Sequence, residues 1–391
     1  MHATQVLQKI FRPVITRLDA RNARNLLFAV EALLIGRRLT LMELARHFPG
    51  AERVRAPLKR LDRLLGNRDV QVRRSCFYRA AVTWILRSTQ PVLIVDWSEL
   101  KNDGRFHLLR AAVAARGRAL TVYEEVHPED CKNSPEVETA FLTRLNALLP
   151  DEVRPIVVTD AGFRVPWFRA VEALGWHWVG RVRGTTRVCF TGKYKWFGSR
   201  RLHRTATPRA RSLGAVLLTE SNPMGCRLVL LRRPRRGRHQ HTRHGQRARN
   251  RHSEKMAART KEPWLLAVST SLDHLPATRI ARLYAKRMQI EQSFRDLKSH
   301  RFGCAFEDTL TRDAQRLEML LLIHALASLA AWLEGLTVVT ATPATATTIS
   351  GYANHSITWV GYERLRRRCA RLTLPLPKAI EQLRQVLAEA A

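Results

Sequence analysis

Acidic residues are what this chain lacks most. Only 33 Asp and Glu stand against 67 Lys and Arg in 391 residues, for a formal net charge of +34. A folded chain with that field is drawn to polyanions, nucleic acid first among them. A ribosomal-type structural role or an anionic membrane surface would use the same charge. Cysteine is sparse: Cys76, Cys131, Cys189, Cys226, Cys304 and Cys369 include no CxxC pair. That argues against a zinc site and a disulfide scaffold, and for reduced thiols in the cytoplasm. Long apolar runs are missing as well. The best, MLLLIHALASLAAWL, covers 15 residues at 319–333, contains His324 and is flanked by Glu318 and Glu334. A spanning helix wants about 20, so the run reads as a buried helix and no membrane partner is expected. The first residues carry no secretory apolar stretch. Hydrophobic residues still make up 45% of the chain, enough for a real core and for two or three domains.

Residues 1–85 read as helices. NARNLLFAVEALLIG is apolar at helical spacing up to Gly36, LTLMELARHF follows with Thr40 as N-cap, and RAPLKRLDRLLGN ends at Gly66. Helix, turn and arginine-bearing helix suggest a DNA reader, against a plain bundle with a solvated basic face. From residue 91 the period changes. PVLIVDW and RPIVVTDAGF read as buried strands, and 105–126 as two strands joined near Gly117. SPEVETAFLTRLNALL opens with Ser134 as a cap and a proline behind it, VPWFRAVEALG reads as a helix ending at Gly175, and WHWVGRVRG as another strand. Residues 184–274 break the rhythm with strand-like pieces around an arginine-rich run at 232–255, a phosphate-seeking loop by composition. Two long helices are expected at 276–299 and about 311–335, then a linker and a last amphipathic helix.

Among so few acids, those closing buried strands stand out. Asp96 ends VLIVD and Asp160 ends PIVVTD. Strand ends of α/β sheets are where ligands bind, although aspartate there also caps turns. A third acid, Glu291, lies in YAKRMQIEQSFRDLK at 284–298. On one continuous helix Tyr284, Arg287, Glu291 and Lys298 share a face, beside an apolar stripe of Leu283, Ile290, Phe294 and Leu297. Helix spacing alone favours a surface ladder in which Glu291 pairs with Arg287 and Arg295. Three carboxylates together could instead hold two divalent ions, and oxygen ligands point to Mg²⁺, with Mn²⁺ as the alternative, rather than zinc.

VDWS with Asp96, VTDAGF with Asp160 and the Y-x2-R-x3-E-x6-K spacing of Tyr284, Arg287, Glu291 and Lys298 resemble the DDE transposases of bacterial insertion sequences. More narrowly, they resemble the cut-and-paste family with the YREK signature, whose best-known members move tetracycline- and kanamycin-resistance elements. It runs over about residues 30–335, through LTLMELARHF, KRLDRLLGN, GWHWVGRVRG and KEPWLLA. The resemblance implies an α/β fold: a ribonuclease-H-like core at 86–183 and 275–336. A β-rich basic insertion at 184–274, an all-α DNA-binding domain at 1–85 and a helical tail at 337–391 that pairs protomers complete it. It makes Asp96, Asp160 and Glu291 the catalytic triad and the ligands of two Mg²⁺ ions. Tyr284, Arg287 and Lys298 become phosphate contacts, and Trp264 and Met288 become holders of a base flipped from the element end. The partners would be double-stranded DNA, as terminal inverted repeats and as target, and a second copy in a homodimeric synaptic complex. The setting would be the nucleoid of a bacterial cytoplasm. Against this stand an inactive or domesticated DNA-binding copy and a structure-specific nuclease on the same core.

Overall fold

The computed structural model describes residues 1–233, 262–340 and 356–390, apart from 87, 116 and 302, together with 246, 251 and 254. The arginine-rich run at 232–255 thus lies almost wholly, and the linker ATPATATT at 341–348 wholly, outside the described residues. The class is mixed α/β, in two compact units: residues 1–156 with 287–391, and Val157–Lys286.

The first unit opens with helices α1 (Ala3–Ile10), α2 (Arg12–Ile15), α3 (Ala20–Gly36), α4 (Leu41–Arg46), α5 (Arg55–Leu65), α6 (Arg68–Val72) and α7 (Arg74–Ile85). Their limits follow local chemistry. Asp19 accepts the Arg21 and Asn22 N–H groups at the start of α3, and Thr40 accepts that of Glu43 at the start of α4. Past Gly36 the chain turns at Arg37, held at φ 57°. Strands β1 (Val92–Glu99), β2 (Phe106–Ala114) and β3 (Ala119–Pro128) form an antiparallel meander, closed between β2 and β3 by Gly117 at φ 80°. Helix α8 (Pro135–Asn146) starts where Ser134 accepts the Val137 N–H at 3.3 Å.

The second unit begins within β4 (Ile156–Thr159) and holds α9 (Val165–Ala173), β5 (His177–Val182), β6 (Arg187–Phe190), β7 (Phe197–Gly198), β8 (Arg211–Leu218), β9 (Met224–Leu231), β10 (Trp264–Val268) and α10 (Ala277–Ala285). The strands run side by side in the order β4, β5, β10, β9, β8, β6, β7. β10, arriving late in sequence, lies antiparallel between β5 and β9. Phe168 stacks on Trp178, centroids 4.0 Å apart, and Gly180 is small because a side chain there would strike Phe168.

The chain returns to the first unit with α11 (Met288–Lys298), α12 (Ala314–Thr340), α13 (Ile357–Arg367) and α14 (Leu376–Ala390). The expected single helix at 276–299 is therefore two helices. Around Lys286 and Arg287 the hydrogen bonds tighten to three-residue spacing (Lys286 N–H to Leu283 O, Ile290 N–H to Arg287 O), although both residues keep helical angles. Tyr284 thus belongs to a different helix from Glu291 and Lys298. Helix α12 is long and apolar enough to cross a membrane, but 89% of its apolar window is buried in the fold. It is the core helix of this unit, longer than the 15-residue run that marks it in the sequence.

The C-terminal helices pack on α12. Glu334, fully buried, accepts from Arg364 Nε at 2.9 Å and from the Thr373 N–H and hydroxyl at 2.7 and 2.6 Å. The Leu372 N–H bonds to the Met1 carbonyl at 2.8 Å, tying Met1 to the connection between α13 and α14. A Cβ at Gly361 would lie 1.8 Å from the Ala331 carbonyl oxygen. Gly361→Ala should therefore destabilise this unit by about 3 kcal/mol, as overpacking against backbone does. The urea midpoint reads it, and an unmoved midpoint would mean that α12 and α13 are not in backbone contact.

Candidate active site

Five consecutive buried residues, Val92 to Asp96, open β1, and the strand does not end with the aspartate. Pairing with β2 continues through Trp97–Leu109, Ser98–Leu108 and Glu99–His107. Asp96 is consequently an interior strand residue, 8% exposed, rather than the strand-end acid the sequence suggested. Directly across the meander its register partner is Arg110, whose own partner on β3 is Glu124.

Arg287 joins Asp96 to Glu291. Its Nη1 donates to Asp96 Oδ2 at 3.2 Å and its Nη2 is paired with Glu291 Oε1. Arg287 and Asp96 side chains are 12% and 11% exposed, whereas Glu291 is 37% exposed. The carboxylate pair is thus closed on the strand side and open on the helix side. The same guanidinium lies 3.9 Å from Met288 Sδ. At the far end of α11, Lys298 Nζ donates to Ser98 Oγ at 3.2 Å and to the Glu99 carbonyl at 2.9 Å, lashing the helix to β1. Burial lowers the Lys298 pKa, opposed by Glu307 and Glu99.

Two carboxylates from different elements that converge on one guanidinium can converge on another cation. Arg287 stands where such an ion's charge would stand, and the all-oxygen donors suit Mg²⁺ or Mn²⁺. Among the described residues no three His, Cys, Asp or Glu side chains form a finished metal cluster. Asp96 and Glu291 are what the first unit offers.

The second unit carries the other expected residues. Asp160 directly follows β4 and accepts the Gly162 N–H at 2.7 Å, the turn-forming habit of aspartate. Tyr284, 2% exposed on α10, meets Trp264 of β10 edge-on, with centroids 4.8 Å apart at 79°. The Arg233 guanidinium lies 4.6 Å from the centre of the indole. Arg181 of β5 sits beside Tyr284, and burial lowers its pKa.

Arg110, Glu124, Arg181 and Arg233 escaped the sequence reading. In so basic a chain one more arginine carries no signal. A charged residue amid the apolar alternation of FHLLRAAVA or HWVGRV was the available hint.

A family model described as a transposase DDE domain matches residues 87–328, well over half of the chain. The match takes in Asp96, Asp160, Trp264 and the whole 284–298 stretch. Among curated proteins the chain has no match. With the first unit presenting two acids to a single cation, the chain belongs to the transposase DDE domain family, whose members cleave DNA with the help of divalent metal ions.

Proposed function

We propose that this chain is the transposase of a bacterial insertion sequence, from the cut-and-paste group with the YREK signature. It would bind the terminal inverted repeats of its element, free them through a hairpin intermediate and join them to target DNA. Asp96, Asp160 and Glu291 form the triad of a ribonuclease-H-like core in this reading. The observation that carries it is the convergence of Asp96 and Glu291 on one cation, inside a family match that also spans Asp160. Bound by these three acids, two divalent ions would activate the attacking oxygen and offset charge on the leaving 3′ oxygen.

The other residues then have separable tasks. Arg287, Lys298 and Tyr284 grip phosphates near the cut, which carry no base information. Trp264 and Met288 hold a base flipped from the element end, since an indole offers any base a stacking face. Arg233 occupies ground near that indole and would give way to the base. The helices of residues 1–85 supply end binding, and two protomers pair in the synaptic complex.

The test incubates the protein with Mg²⁺ and a fragment bearing an element's terminal inverted repeats. Release of the flanking DNA with a hairpin on the excised end supports the reading. Nicks alone, or cutting of any branched substrate, would replace it with a structure-specific nuclease. Trp264→Ala should still nick but form hairpins about tenfold more slowly, as a stacking contribution of about 1–3 kcal/mol implies. Equal slowing of both steps on a denaturing gel would assign Trp264 to the strand core instead.

A further inference from the structure

Arg287 does more in this structure than wait for a phosphate. Its Nη1 and Nη2 are paired with Asp96 and Glu291, the acids a metal ion would need. We infer that Arg287 blocks the carboxylate pair in the DNA-free protein and that an arriving phosphodiester draws it off, so that metal binding and DNA binding favour one another. The inference rests on the proposed triad and concerns how that site is loaded.

The competition is direct. A guanidinium nitrogen and a metal ion cannot share the lone pairs of Asp96 Oδ2 and Glu291 Oε1. The Arg287 side chain is only 12% exposed, so moving its charge off the two acids is eased by an anion that takes their place. A phosphodiester oxygen suits a forked guanidinium as well as a carboxylate does, and the open flank of the pair is the Glu291 side. Coupling of this kind is reciprocal: whatever DNA adds to metal affinity, metal adds to DNA affinity. Lys298 supplies the internal contrast. It puts a charge of the same sign on the same helix, yet bonds to Ser98 and to the Glu99 carbonyl rather than to either acid. Direct blocking requires a bond to the acids, which Arg287 makes and which the Lys298 bonds to Ser98 and Glu99 do not supply. A protein so gated would not carry a charged cleavage site about the cell, and would complete it only on DNA.

The experiment titrates full-length, DNA-free protein with Mn²⁺ and reads bound metal by water-proton relaxation. Arg287→Gln should bind Mn²⁺ about tenfold more tightly than wild type or better, as loss of two charge-assisted hydrogen bonds to the ligands implies. The gain should vanish in Arg287→Gln/Glu291→Gln and should be much smaller in Lys298→Gln. Arg287→Lys, which keeps the charge but cannot fork across two carboxylates, should fall between and serves if the glutamine variant melts early. Unchanged or weaker binding in folded Arg287 variants overturns the inference, as does equal tightening by Lys298→Gln. The titration needs neither DNA nor turnover. Failure of the transposition reading shows elsewhere, as element-end DNA left uncut by wild-type protein with Mg²⁺.

Discussion

Glutamine at position 291 should leave a folded protein that binds element ends and does not cut them. The substitution keeps the side-chain volume and an oxygen that can still accept from Arg287 Nη2, so the junction of α11 with β1 survives. Glu291 is 37% exposed, and screening at that exposure makes its ion pair a small part of stability. What disappears is the second negative charge of the pair facing Asp96. If that charge helps hold a divalent ion, the loss falls on the transition state. Several kcal/mol there slows cleavage by about a thousandfold or more. Single-turnover cleavage with Mg²⁺ and a gel-shift assay on the same ends separate the two effects. Cleavage within tenfold of wild type would remove Glu291 from the metal site and return it to the surface ladder that helix spacing alone suggests.

How much of this could be read beforehand differs element by element. Strands β1 to β5 and helices α3, α8 and α9 announce themselves through apolar runs, capping residues and glycines, because their signals are local. Three features did not. The break between α10 and α11 has no glycine or proline to mark it. It falls where Tyr284 is buried against Trp264 in one unit and Arg287 is bound to Asp96 in the other, a tertiary demand on a sequence with unbroken helix propensity. The end of β1 lies beyond the run PVLIVDW, since Ser98 and Glu99 read as a polar exit while cross-strand pairing holds them in the strand. Helix α13 was missed in the tail, although Ser356 caps it by accepting the Trp359 N–H at 3.1 Å. Its apolar face matters only because α12 is there to meet it. At the site, residue types and chain order made Asp96, Asp160 and Glu291 candidates. The bridging role of Arg287 is a matter of distance, and no spacing rule yields it.

The row Asp96, Arg110, Glu124 carries the second large effect. Glu124 is fully buried and accepts from Arg110 Nε at 2.7 Å and from the Tyr78 hydroxyl at 2.9 Å, while Arg110 is 1% exposed. Burial and Glu124 together push the Tyr78 phenol well above its usual pKa, so it remains a donor. Glu124→Ala strands the Arg110 cation in the core and should cost about 3–5 kcal/mol, the usual result of deleting one partner of a buried pair. Arg110→Met/Glu124→Leu removes both charges and should recover most of that stability, because well-packed apolar residues replace buried pairs at little cost. Activity should not recover with it. The Arg110 guanidinium lies 5.1 Å from the centre of the Phe294 ring on α11, and Arg110 is the register partner of Asp96. It therefore supports both elements that present the acids. A displacement of about 1 Å between such groups can slow a positioned reaction by about a hundredfold. We expect the double variant to melt near wild type and to cleave at least tenfold more slowly, with end binding intact. Wild-type cleavage in that variant would reduce the row to core packing. A stable Glu124→Ala would show that Arg110 finds its counter-charge elsewhere.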